Sequence, residues 1–83
     1  MLFRSPYGVA ALATILLPSN ITTGVLRATA PDGPVVAFVQ TGDPVEVLTD
    51  QQMIQGIIWR PVRLANGDHG WIQQFLLKIL PPP

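Results

Sequence analysis

The chain contains no cysteine and only one histidine. The missing cysteine excludes disulfides and cysteine-ligated metal centres, and a single histidine cannot supply a zinc site. Charge is equally sparse, because five basic and five acidic side chains among 83 residues leave no net charge. A nucleic-acid-binding domain of this size usually displays a basic patch, and none is visible, so we expect no nucleic-acid partner.

The sequence also offers little material for catalysis. Ser5 and Ser19 are its only serines. Nothing in the spacing of Ser19, Asp68 and His69 supports a hydrolytic triad, because adjacent residues on a strand point to opposite faces. The acidic residues lack the alternating spacing of a calcium loop. We therefore expect a chain that is not an enzyme and that holds no metal and no cofactor, with His69 as an exposed hairpin residue.

Proline and glycine, in contrast, are frequent, with nine and seven residues spread along the chain. They divide it into short segments, a pattern typical of a small all-β barrel or sandwich rather than a helical bundle. Apolar residues make up 48% of the chain, which is enough for one small folded domain. We predict a domain at 10–80, a disordered leader or stub of a longer chain at 1–9, and a proline tail at 81–83.

The most apolar stretch, residues 1–17, has two interpretations. Arg4 followed by an apolar run resembles the start of a secretory signal peptide, but Pro6 and Gly8 interrupt the run and no small-residue cleavage site closes it. The run is shorter than the roughly 20 apolar residues that span a bilayer, so we expect no membrane insertion. The other interpretation, which we favour, makes 10–17 the first strand.

The most informative stretch is 56–72, with the sequence GIIWRPVRLANGDHGWI. Asn66-Gly67 between two apolar runs predicts a hairpin, since this dipeptide is the strongest short-range hairpin signal. The polar segment before it, 49–55, is interpreted as a loop without a strand. Side chains alternate along a strand, and the better core face is the one that carries Ile58, Arg60, Val62 and Leu64.

The length of the hairpin loop decides where the second tryptophan points. A two-residue turn pairs Val62 with Trp71 and sends Trp71 into the core. A three-residue loop, with Gly67 in the left-handed conformation, pairs Pro61 with Trp71 instead and moves Ile72 into the core. We prefer the longer loop because it leaves Trp59 and Trp71 on one face at the rim, where each indole N–H can reach a partner or water.

Several of these motifs together resemble the bacterial SH3 (SH3b) domain family over about residues 12–80. The segments that carry the resemblance are Leu26-Arg27, Val35-Val-Ala, Thr41-Gly-Asp43, Val45-Glu-Val47, Gly56…Trp59-x-x-Val62-Arg63, Asn66-Gly67 and Gly70-Trp71-Ile72 followed by Phe75-Leu76. The resemblance implies an SH3-like barrel of five or six short strands with a short 3-10 turn near 73–76. It also implies an accessory module of a bacterial envelope or secreted protein. Pro61 departs from the pattern, because it has no N–H and requires an unpaired or bulged edge.

The candidate ligand-binding residues are Trp59, Trp71, Arg27 and Asp32. The resemblance places the first tryptophan of the signature, Trp59, in a peptide groove, and an exposed indole suits stacking on a proline, a sugar or a peptide. The other interpretation is that both tryptophans only cover the ends of the barrel. Arg27 is expected either to form a surface ion pair with Asp32 or Glu46, or to belong to the rim of the ligand site.

Two functions of different classes follow. The leading hypothesis is a non-catalytic binding or targeting module, located in the cell envelope or secreted, that recognises cell-wall peptide or glycan (peptidoglycan), or a proline-containing segment. The alternative is a structural interaction domain that packs on a neighbouring domain and binds no diffusible ligand, which the mean hydropathy of +0.38 suits. As an isolated domain the chain is expected to be a monomer.

Overall fold

The computed structural model describes residues 8–81. This part of the chain contains eight strands and one 3-10 turn, and none of its helical segments is long or apolar enough to cross a membrane. In chain order the elements are β1 (Val9–Ile15), β2 (Gly24–Arg27), β3 (Val35–Val39), β4 (Pro44–Leu48), β5 (Gln52–Ile54), β6 (Ile57–Leu64), β7 (His69–Gln73), the 3-10 turn (Gln74–Leu76) and β8 (Leu77–Ile79).

The strands form one antiparallel sheet in the order β3-β2-β7-β6-β4-β1-β8, with β5 attached to β6 beside this path. The predicted all-β class and the 3-10 turn near the C-terminus are therefore confirmed, while the strand number is eight rather than five or six. The strand that the sequence did not indicate is β5, which has three residues. Its pairing with β6, rather than a hydrophobic pattern, creates this strand.

The first strand, predicted over 10–17, is confirmed as β1. It pairs with β4 on one side and with β8 on the other. Residues 1–7 lie outside the described residues, as do the last two residues of the chain. The leader predicted at 1–9 and the proline tail predicted at 81–83 fall largely on these residues and stay predictions, although Val9 already belongs to β1.

One cluster of buried side chains forms the main core. It takes residues from both ends of the strand order, including Ala13 and Ile15 of β1, and Val39 of β3. Strands so far apart in the sheet can share a core only if the sheet curls around it. The remaining members of the cluster are Leu17, Leu26, Val45, Val47, Val62, Ile72 and Leu76.

The β6–β7 hairpin has the predicted three-residue loop. Pro61 lies opposite Trp71 and Arg60 opposite Ile72, and the loop is closed by a hydrogen bond from Leu64 N to Asp68 O of 2.7 Å. Gly67 has a φ of 95°, the left-handed conformation that the bulge requires. The preferred register, with Ile72 fully buried, is therefore confirmed.

The tight two-residue turn of the sheet lies elsewhere, at the β5–β6 hairpin. Ile54 pairs with Ile57, and the two residues between them, Gln55 and Gly56, have φ values of 53° and 81°. Positive φ at both positions is the signature of a type I′ turn. The prediction of a strandless loop at 49–55 is wrong, because this turn folds Gln52–Ile54 back onto β6 as β5.

Pro61 occupies the place on β6 where the neighbouring strand changes. The pairs with β5 end at Trp59 and those with β4 begin at Val62, so the edge at Pro61 is unpaired, as its missing N–H requires. The backbone N–H of Leu64 points towards β7. Because the direction of the backbone polar groups alternates along a strand, the backbone of Pro61 points the other way, towards Leu48 of β4. Arg60 supplies the missing donor, since its Nη2 donates to Leu48 O at 3.2 Å.

We expect Arg60→Met to lower the free energy of unfolding by about 1–3 kcal/mol, because the carbonyl of Leu48 would lose this donor. Arg60 Nη1 also donates to Gln74 Oε1 at 3.3 Å, so the substitution loosens the 3-10 turn as well. Urea unfolding at equilibrium measures the change.

Arg63→Met is the matched control, because Arg63 lies on the same strand but forms only a partly exposed ion pair with Glu46. Such pairs contribute about 0–1 kcal/mol. An equal loss of stability in the two variants would contradict the role assigned to Arg60.

Candidate functional site

Trp59 does not form the predicted exposed platform. The register places it on the outer face of β6, away from the main core, as predicted, but its side chain is only 5% exposed. The physical reason is the unpredicted strand β5, which puts Gln52 beside Trp59 while β7 puts Gln73 on its other side. With only 5% of its side chain exposed, Trp59 offers no free ring face to a ligand, so its proposed exposure is wrong.

Trp71 remains the accessible tryptophan of the pair. It is half-buried, and the register places it between Pro61 of β6 and Arg27 of β2. Residues directly opposite one another in a sheet share a face. Pro61, Trp71 and Arg27 therefore form a row across the outer face, which we call the tryptophan row.

Arg27 and Asp32 do not form an ion pair. Arg27 Nη1 donates instead to the carbonyl of Gly33 at 3.0 Å, which fastens the 28–34 loop to β2. Asp32 is exposed in that loop. Within residues 8–81 the one ion pair joins Arg63 and Glu46. Arg27 thus forms the β2 end of the tryptophan row, while Asp32 lies in the loop that Arg27 fastens, and the role of both in binding stays a prediction.

A groove of about 430 Å³ opens beside Arg63 of β6 and reaches down to the core residues Ala13 and Val45, but no residue of the tryptophan row lines it. This volume lies within the range of small-ligand sites. We call it the outer groove, and its side chains include Leu12, Pro44, Glu46, Arg63, Ala65 and Leu80. Its walls come from β1, β4, β6, the β6–β7 loop and the segment after β8, so several parts of the chain must fold before it exists.

The outer groove is apolar except for one ion pair. Arg63 Nε donates to Glu46 Oε1 at 2.7 Å, and Arg63 Nη2 lies 2.5 Å from the same oxygen. The strand register places the two residues directly opposite each other. Because each charge already has a partner, the groove presents apolar surface with a polar edge rather than an unbalanced charge.

Sequence reasoning missed the outer groove, although part of the signal was present. The alternation of Val45 and Val47 turns Glu46 outward, and the hairpin analysis placed Arg63 on the outer face of its strand. What the sequence did not give was the adjacency of β4 and β6, which brings the two side chains together. Within the described residues, no group of three or more acidic or histidine side chains is placed to hold a metal ion.

The chain was also compared with known proteins. No protein-family model, curated protein or solved structure matches the chain.

Proposed function

We propose that the chain is a non-catalytic binding module whose ligand is an apolar or proline-containing peptide segment seated in the outer groove. The observation that carries the proposal is the largely apolar 430 Å³ groove lined by residues of β1, β4 and β6. Apolar walls with a few polar groups at the edge are typical of sites that bind such segments. The resemblance to SH3b domains supports the same class of function and a place in the bacterial envelope or in a secreted protein.

A peptide fits the outer face better than a glycan does. Sugars are bound by exposed aromatic faces flanked by polar groups, and the burial of Trp59 leaves only the partly covered Trp71 for such stacking. The charges of cell-wall peptides would also find Arg63 already paired with Glu46. Among the ligands predicted from the sequence, we therefore favour a proline-containing segment over peptidoglycan.

We expect Leu12→Lys to weaken peptide binding at least tenfold, because it places a charge in the apolar groove. Leu12 is 56% exposed, so the fold should tolerate the change. The probes are a panel of proline-containing peptides and, separately, solubilised peptidoglycan fragments. Amide chemical shifts follow their binding.

Leu16→Lys provides the matched control, since Leu16 is a leucine just after β1 with a similar exposure of 51% but does not line the groove. Its binding should equal that of the unmodified chain. The proposal fails if no peptide shifts the amides of Arg63 and Ala65. It also fails if peptidoglycan fragments shift them while the peptides do not.

A second candidate function is a structural interaction domain with no diffusible ligand. It is favoured by the apolar side chains around β1, the 3-10 turn and β8, where Leu16, Phe75 and Ile79 are 51%, 66% and 48% exposed. Exposed apolar surface of this kind is typical of an interface with another domain. If this function is the correct one, the peptide panel will give no groove shifts, while an apolar dye will bind and will lose affinity in Phe75→Lys.

A further inference from the structure

We propose that β3 is a self-association edge, through which two copies of the chain pair their β3 strands antiparallel and continue the sheet from one copy to the other. The inference is independent of the outer groove, because β3 lies at the far end of the strand order, beyond β7 and β2. It departs from the monomer expected from the sequence.

The backbone of β3 is paired on one side only. Its register partner is β2, and no other strand of the described chain pairs with it. In an antiparallel ladder, alternate residues direct their N–H and C=O groups to opposite sides. Part of the backbone of β3 therefore points to an open edge, where another strand can bond to it.

β3 lacks the short length and the charge of the other sheet edges, and its one irregularity is a register shift opposite Leu26 and Arg27 that leaves Val36 without a partner on β2. Edge strands are commonly kept short or given a charge, lysine above all. β5 and β8 have three residues each, and β8 carries Lys78. β3 has five residues, VVAFV, with no charge and no proline within the strand. Its exposed side chains are Val35, Val36 and Phe38, at 42%, 42% and 71%.

The same features favour a second copy as the occupant. A twofold axis at Ala37 would set Val35 opposite the partner's Val39, and Val36 opposite the partner's Phe38. Every such pair is apolar. A charged strand that pairs with its own copy would bring like charges together, and β3 carries no charge. A contact built on one five-residue strand from each copy falls short of the roughly 800 Å² per partner of a stable complex, so we expect a reversible dimer in the micromolar to millimolar range.

Sedimentation of the full chain, from low micromolar to near-millimolar concentration, tests the proposal. The mean mass should rise with concentration, and Phe38→Lys should weaken the association at least tenfold, because it sets like charges near the twofold axis. Phe75→Lys is the matched control, since Phe75 is 66% exposed but lies on the 3-10 turn. It should dimerise like the unmodified chain.

Hydrogen exchange of the unmodified chain gives a second measurement that needs no variant. The amides of β3 should exchange more slowly at high concentration than at low concentration, whereas those of β5 should not change. Three results would overturn the proposal: a chain that stays monomeric throughout, an equal loss of association in both phenylalanine variants, or unchanged exchange in β3. Protection of β3 by an added apolar peptide, in a chain that stays monomeric, would also overturn it in favour of a foreign strand.

Discussion

Replacing Ile72 by alanine is expected to lower the free energy of unfolding by about 2–5 kcal/mol, the usual loss when a buried isoleucine is truncated. Ile72 lies on β7, opposite Arg60 of β6, and is fully buried in the main core. Small domains have only about 5–15 kcal/mol of stability, so the variant should melt far earlier than the unmodified chain. Urea unfolding, followed by the fluorescence of the two tryptophans, measures the change.

Ile79→Ala is the control that makes this result specific to the core position. Ile79 is the same residue type, also on a strand, but it is 48% exposed. Its truncation should cost a fraction of the loss at Ile72, because little apolar surface returns to water. Similar losses in the two variants would contradict the three-residue loop, since a two-residue turn would bury Trp71 in place of Ile72.

The loop length and the register of the β6–β7 hairpin could be predicted from the residues of the hairpin alone. The choice between two loop lengths could be made from the sequence because each length implies a different residue in the core, and Ile72 is a better core residue than Trp71. The structure confirms that choice, and Gly67 adopts the conformation that it requires. Register was predictable here because a slip by one residue would turn every side chain of β7 to the other face.

The neighbours of Trp59 were not predictable in the same way. Its face follows from alternation along the strand, but its exposure depends on what pairs beside it. The type I′ turn at Gln55-Gly56 adds β5 to that edge, and Gln-Gly is a weaker turn signal than Asn-Gly. The outer groove and the open edge of β3 were not predicted from the sequence for a related reason, because both depend on the order of strands in the sheet.

Replacing Gly70 by alanine is the other substitution with a large expected effect, about 1–3 kcal/mol or more. A Cβ atom at this position would lie 2.9 Å from the carbonyl oxygen of Arg27 and 2.9 Å from Cγ2 of Val36. The carbonyl is part of β2 and cannot move without disturbing the contact between β2 and β7. The glycine is thus needed for the close approach of two backbones rather than for an unusual φ.

Gly8→Ala is the matched control, because a Cβ atom there meets only Thr49, at the ordinary contact distance of 3.9 Å. We expect that variant to unfold at the same urea concentration as the unmodified chain, while Gly70→Ala unfolds at a clearly lower one. Hydrogen exchange adds a local measurement, since the crowding at Gly70 should speed exchange first in β2 and β7. If Gly70→Ala kept full stability, β2 could not lie as close to β7 as the register of Arg27 with Trp71 requires, and the tryptophan row would lose its basis.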